Sequence, residues 1–382
     1  MKLPLPDPTG HLTEYRLKAA PVEAVPMPPD PVRVVYAAAH VVRDPFADAD
    51  PSGPAAIDWD ATLAFRGHLI NLGLGVAEAM DTAQRGMGLD WPHALDLIRH
   101  TTSAFPDALV AHGCGTDHIR PENAKTLDDV TTAYLAQVEA IQSAGGRLIL
   151  MASRALARVA RGPEDYAEVY GRVLEACEHP VILHWLGEMF DPALAGYWGT
   201  ADFPSARDTV LTIIGDNIAK VDGIKISLLD AQKEIEMRRR LPPPVRMYTG
   251  DDFNYPDLIA GDELGFSHAL LGIFDPLSVH AARAVAKLSH GDRAGFRAVL
   301  DPTVPLARHV FRAPTHHYKT GVVFLAWLNG HQSHFRMIGG AEAMRSLPYF
   351  VDCFKLADAC GALAQPDLAV ERMGSLLRTY GI

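Results

Sequence analysis

Between residues 31 and 272, short apolar runs rich in Val, Ile and Leu alternate with longer runs of helical period, and this alternation limits the possible folds more than any other feature. The short runs are 31–40, 75–81, 107–113, 146–153, 179–187, 220–227, 245–252 and 263–272. Helical runs follow them near 58–72, from Asp90, over 126–143, from Glu164, over 205–217, 230–240 and 255–260, and from Pro276. Asp90 followed by Pro92, and Asp128 and Asp129 after Thr126, have the form of helix starts. Strand–helix units repeated without a reversal predict an α/β chain whose parallel strands close into a (β/α)8, or TIM, barrel. An open doubly wound sheet would carry a Gly-rich phosphate turn after its first strand. Here that strand runs into AAAHVVRDP (37–45), which has no such turn, and a polar Asp/Pro loop follows.

Past residue 300 the pattern is helical throughout, around 303–313, 316–330, 339–360 and 366–379. The expected organisation is a Pro-rich arm over 1–30 without regular periodicity, a barrel over 31–300 and a C-terminal helical extension over 301–382. The net charge of -11 argues against a nucleic-acid partner, which needs a surplus of Lys and Arg. No run approaches the roughly 20 apolar residues that span a bilayer. The first residues lack the basic-then-apolar pattern of a signal peptide, so a cytoplasmic protein is expected. Cys114, Cys177, Cys353 and Cys360 form no C-x-x-C pair and read as free thiols, Cys114 being the one in a polar, Gly-rich segment.

Chemistry in a barrel gathers at the C-terminal ends of the strands. In order, those ends supply His40; Glu78, Asp81 and Thr82; His112; Ser153 and Arg154; His184; Lys225; Asp251 and Asp252; Ser267 and His268. Lys225 is the sharpest of them. If Ile224 and Ile226 face the helices, alternation turns Lys225 into the barrel. A buried ammonium is costly unless paired or deprotonated, and a neutral amine can attack a carbonyl to form a Schiff base. The alternative is a lysine paired with Asp251 or Asp252 for stability alone. These two aspartates could orient Lys225 or bind substrate, and either could instead cap the following helix. The histidines admit a second reading, a metal-dependent barrel hydrolase or lyase using His40, His112 and His184 with Asp81 or Glu78. A third is a barrel that binds a small acid without catalysis.

Several segments, in order, resemble the dihydrodipicolinate synthase and N-acetylneuraminate lyase family of Schiff-base aldolases. They are PVILHWLG (180–187), VDGIKIS (221–227), YTGDD (248–252), LGFSHALLGIFDP (264–276) and HYKTGVVFLAWLNG (317–330). Within that family the chain looks like a branch known only as dihydrodipicolinate synthase-like. The resemblance implies that Lys225 forms an imine with a small 2-oxo acid and needs no cofactor. It also implies a homo-oligomer, dimer or tetramer. The family's Gly-Thr-Thr-Gly-Glu turn is replaced by Asp81-Thr82-Ala83-Gln84-Arg85-Gly86, which makes Thr82 and Arg85 the candidate carboxylate contacts. The family's fourth-strand tyrosine is absent from Met151-Ala152-Ser153-Arg154, and Tyr36, Tyr248 and His184 are its candidate replacements. His184-Trp185 stands where the family often has Tyr-Asn, and a histidine suits acid–base work. The expected lyase therefore uses Lys225 as nucleophile, His184 as acid–base group and Asp251 as the lysine's partner. Thr82, Arg85, Ser153, Asp252 and Ser267 are its expected substrate contacts.

Overall fold

The computed structural model describes residues 1–50 and 53–382; positions 51 and 52 of the expected Asp/Pro loop lie outside the described residues. Strands β1 (Lys2–Pro6) and β2 (Leu12–Arg16) form an antiparallel hairpin. Eight parallel strands follow: β3 (Val35–Ala38), β4 (Gly75–Glu78), β5 (Val110–Cys114), β6 (Arg147–Leu150), β7 (Val181–Leu186), β8 (Val221–Ser227), β9 (Arg246–Thr249) and β10 (His268–Leu271). They pair in chain order, and β10 closes on β3, so the fold is the TIM barrel with a C-terminal helical extension.

Burial on both faces explains the continuous apolar strands. On β8 the outward residues Ile224 and Ile226 pack with Val210, Ile213 and Ile214 of the helix Phe203–Asp216. The inward set is Gly223, Lys225 and Ser227, alternating with them as the pleat requires. The barrel interior is filled by Tyr36, Ala77, Ala111, Ile149, Ile182, Tyr248 and Leu270, so it is a packed core and not a pore. The surrounding helices start where their caps stand. Asp58, Asp90, Asp202 and Asp230 each accept a backbone N–H of the first turn, and Thr126 with Asp129 makes a capping box.

Two expectations are corrected in local structure. The N-terminal segment is not irregular: Leu3 and Leu5 alternate into the core, and Pro4 between them faces outward. This hairpin lies on the chain's own C-terminal helices, where the Tyr15 hydroxyl donates to Asp358 Oδ2 at 2.7 Å. The helix expected over 339–360 begins only at Leu347, because Gly339 and Gly340 take left-handed φ of 66° and break the preceding turn. All four cysteines are free and buried, Cys114 included. Among the described residues no helix is long and apolar enough to cross a membrane.

Candidate active site

Lys225 sits mid-barrel on β8, in register with His184 on β7 and Tyr248 on β9. It is 8% exposed. Burial holds its amine below the usual lysine range, while the nearby carboxylates of Asp252 and Asp81 oppose that shift. The amine opens on a small chamber of about 20 Å³, the size of one water, lined by Asp81, Thr82, Ser227, Asp252, Phe190 and Tyr318 among others. A larger chamber of about 320 Å³ adjoins it and shares Asp81 and Leu186 as boundary residues. His184, Thr116, Met151, Arg120 and Arg154 line that larger space.

Gly250 makes this packing possible. A Cβ there would lie 2.7 Å from Lys225 Cε, 2.7 Å from the Ile226 carbonyl oxygen, and closer still to Ser227 Oγ. Its backbone is not left-handed, so close approach, and not conformation, is the reason for glycine.

The two aspartates after Gly250 have separate tasks. Asp251 Oδ1 accepts the N–H groups of Phe253 and Asn254 at 2.8 and 3.1 Å, and its Oδ2 accepts the Asn254 side-chain amide at 2.8 Å. It builds the turn into the helix Tyr255–Ala260, which corrects its expected role as the lysine's partner. Asp252 is the carboxyl beside Lys225. Its Oδ1 accepts the Ile273 N–H at 2.9 Å, and burial pushes its pKa up to about 7 against the opposing pull of that bond and of Lys225.

His184 is fully buried and faces Ser227 Oγ at 3.3 Å through Nε2, while Nδ1 has no partner. Burial, with Lys225 nearby, holds it well below the usual histidine range, so the ring is neutral at pH 7. Thr82 lies in a 3-10 turn after β4, and its hydroxyl is 2.8 Å from that of Tyr318.

Arg85 lines the larger chamber, but its guanidinium is already occupied. It pairs bidentately with Asp117 at 2.6 and 2.8 Å and donates to Gln137 Oε1 and to the Ala79 and Gly113 carbonyls. It has no donor left for a substrate carboxylate. Ser153 caps the helix Arg154–Val159 and meets Thr116 Oγ1 at 2.7 Å.

Ser267 and His268 are at the opposite end of the barrel. The strand expected over 263–272 begins only at His268, because Gly261 and Gly265 turn the chain at φ of 76° and 150°. Ser267 Oγ donates to Glu234 Oε1 at 2.6 Å, and His268 Nδ1 accepts the Val34 N–H. Tyr248 also points to that end, donating to Asp222 at 2.7 Å with Tyr36 against its ring. Neither tyrosine lines the Lys225 chamber.

The residues of the expected metal set do not converge. His40 is bound to Asp275 Oδ2 through both its backbone N–H and its ring Nδ1, at 2.7 and 2.8 Å. Glu78 faces the helices, held bidentately by Arg66 and by Thr101. His112 lies against the Gly146 backbone and meets Thr102 at 3.3 Å, away from His184. Among the described residues no three His, Cys, Asp or Glu side chains are placed to hold a metal ion.

Tyr318, Lys319 and Ser227 are the site residues that sequence reasoning missed. Tyr318 and Lys319 open the helix Tyr318–Leu328, all of whose residues are buried. Two polar residues in the first turn of so apolar a helix were the available signal. Their distance along the chain from Lys225 hid the meeting.

No curated protein matches this sequence. Its fold is that of solved dihydrodipicolinate synthases. The 4-hydroxy-tetrahydrodipicolinate synthase of Methylacidiphilum fumariolicum SolV is similar at a TM-score of 0.65 and 14% identity, over 90% of this chain and 99% of that one. The dihydrodipicolinate synthase of Bacillus anthracis is similar at 0.62 and 16%, over 85% and 97%. That of Aquifex aeolicus is similar at 0.60 and 12%, over 91% and 98%. At such identities the likeness carries the fold alone. The profile of a family described as "Protein of unknown function (DUF993)" matches residues 3–382, so the chain belongs to the DUF993 family.

Proposed function

We propose that this protein is a class I, Schiff-base-forming lyase that acts on a small 2-oxo acid through Lys225. The observation that carries the reading is the Lys225 amine itself, buried inside the barrel and held below the usual lysine range by that burial. In the first step the amine nitrogen attacks the ketone carbon of the substrate. A C–N bond forms, and the carbonyl electron pair goes to oxygen. Asp252, with its pKa near 7, is suited to take the proton the nitrogen gives up and to pass it to that oxygen, which becomes a hydroxyl.

The resulting hydroxyl must then leave as water, which needs a proton donor. Tyr318, held by Thr82 and kept protonated by burial, fills that place. His184 stays neutral and steadies Ser227 beside the lysine. The iminium so formed draws the electrons of a neighbouring C–C or C–H bond toward nitrogen; C–C cleavage gives an aldolase, and loss of the C–H proton gives an enamine that can expel a hydroxyl, whose oxygen keeps the C–O pair. The solved dihydrodipicolinate synthases of the same fold support the reading by analogy of fold.

The test is borohydride trapping with pyruvate and other 2-oxo acids, followed by peptide mass mapping. An adduct on Lys225 that is lost in Lys225→Met is the expected result. No adduct with any of them ends the Schiff-base reading for those substrates.

A further inference from the structure

The carboxylates around the barrel mouth differ in how much of their bonding capacity the protein uses. Asp117 is held by Arg85, Asp251 by its own turn, Asp252 by the Ile273 N–H, Asp275 by His40 and Asp191 by Arg154. Asp81 is different. Its side-chain carboxylate accepts no hydrogen bond and joins no ion pair among the described residues, and it is partly exposed.

Asp81 also occupies a particular place. It lines both the small chamber that holds the Lys225 amine and the larger chamber of about 320 Å³. Among the described residues the other one common to the two is Leu186, which has no chemistry to offer. Two buried lysines flank Asp81 within electrostatic reach, Lys225 on one side and Lys319 on the other. Lys319 is 5% exposed and has no ion pair among the described residues; its amine donates to Met87 Sδ and the His316 carbonyl, each at 3.2 Å, and lies 5.0 Å from the centre of the Tyr318 ring. Two buried lysines therefore lie within electrostatic reach of this one unoccupied carboxylate, with Asp252 also acting on Lys225 and Asp191 on Lys319.

A substrate tethered to Lys225 places its imine half in the small chamber. That chamber holds little more than one water, so the rest of the molecule must extend past Asp81 into the larger space. The bond that divides the two halves then lies at the carboxylate. We infer that Asp81 is a catalytic residue of this site, accepting the hydroxyl proton of a 4-hydroxy-2-oxo acid as its carbon–carbon bond breaks between the chambers.

This inference rests on the imine reading above. The O–H proton goes to the Asp81 carboxylate, and the O–H electron pair becomes the second bond of the departing aldehyde carbonyl. The C–C pair becomes the enamine double bond, and the iminium nitrogen takes up the displaced pair. The aldehyde is left in the larger chamber and the enamine on Lys225.

The experiment compares wild type with Asp81→Asn in two assays on the full chain. One is borohydride trapping of pyruvate on Lys225, and the other is aldehyde release from 4-hydroxy-2-oxopentanoate and 4-hydroxy-2-oxoglutarate. The variant is expected still to form the pyruvate adduct on Lys225, because removing the carboxylate only lets burial lower the amine's pKa further, while cleavage falls by roughly 10²–10⁴-fold, the usual contribution of a positioned acid–base group. Asp81→Ala with added formate is the second variant, and the small carboxylate is expected to restore part of the cleavage.

Wild-type cleavage in Asp81→Asn overturns the inference. Loss of pyruvate trapping in that variant also overturns it, since Asp81 would then act on the lysine and not on the bond. So does a wild type that traps pyruvate but cleaves neither hydroxy acid. A wild type that traps no oxo acid is a separate result and removes the imine reading itself.

Discussion

Gly250→Ala probes the claim that the site is built by close packing of the β8 and β9 ends. The added Cβ would lie 2.7 Å from both Lys225 Cε and the Ile226 carbonyl oxygen. Ordinary contacts of this kind fall near about 3.5 Å, so Lys225 must retreat by roughly 0.8 Å or the strands must part. The Ile226 oxygen is backbone and also accepts the Gly250 N–H at 2.8 Å, so it cannot swing aside. The ends of β8 and β9 must therefore part, and the lysine moves with them.

A misplacement of about 1 Å costs on the order of 10²-fold in rate, or about 2.7 kcal/mol. Overpacking adds a stability loss of about 1–3 kcal/mol. The assay is the rate of borohydride-trapped pyruvate adduct on Lys225, measured beside a thermal melt. Gly171→Ala serves as control. Gly171 is helical with nothing within 4 Å of its would-be Cβ, so alanine should leave trapping unchanged and raise stability by about 0.5–1 kcal/mol. If Gly250→Ala traps pyruvate at the wild-type rate, the packing argument fails, and with it the claim that glycine at this position sets where the amine stands.

Tyr318→Phe removes the hydroxyl that meets Thr82 while keeping the ring, which stacks on Phe311 at a centroid distance of 4.3 Å. The expected stability loss is about 1 kcal/mol. Imine trapping should slow by about 10²-fold or more if Tyr318 donates the proton to the departing water, and wild-type trapping rates would assign that proton elsewhere. Glu234→Gln tests a buried acid outside the site. Burial pushes Glu234 up to about 8, and its Oε2 has no partner. Because the folded pKa is the raised one, the folded chain keeps a proton that the unfolded chain releases above its ordinary value of 4.5. That contribution is present in full below pH 4.5 and is lost progressively toward pH 8. The Gln variant should therefore gain in unfolding free energy over wild type as pH rises through this window, by up to about a few kcal/mol, and match it near pH 4.5. A constant difference across that range would refute the account.

The architecture was readable from the sequence because each strand is buried on both faces and each helix on one stripe, and those two burial patterns have different periods. The strand-by-strand alternation predicted the order of β3 to β10, and Ile-Lys-Ile predicted that Lys225 points inward. The strands of β10 and of the N-terminal hairpin were misjudged for a local reason. Left-handed glycines at 261 and 265 shortened one, and prolines masked alternation in the other.

Periodicity fixes which face of a strand a residue is on; it does not fix what that residue meets. Arg85 looked available for a carboxylate until Asp117 and Gln137, far along the chain, were seen to occupy it. Asp251 and Asp252 are neighbours of the same type, and only the chain's turn after β9 decided that one builds backbone and the other faces the lysine. Tyr318 reaches the site from the C-terminal extension, and Asp81 became distinct only when the other carboxylates were found occupied. The sequence by itself determined the barrel and the inward lysine, because both follow from local periodicity. The lysine's neighbours depend on contacts between separate segments, Tyr318 and Thr82 among them more than 90 residues away, which only the closed tertiary structure brings together.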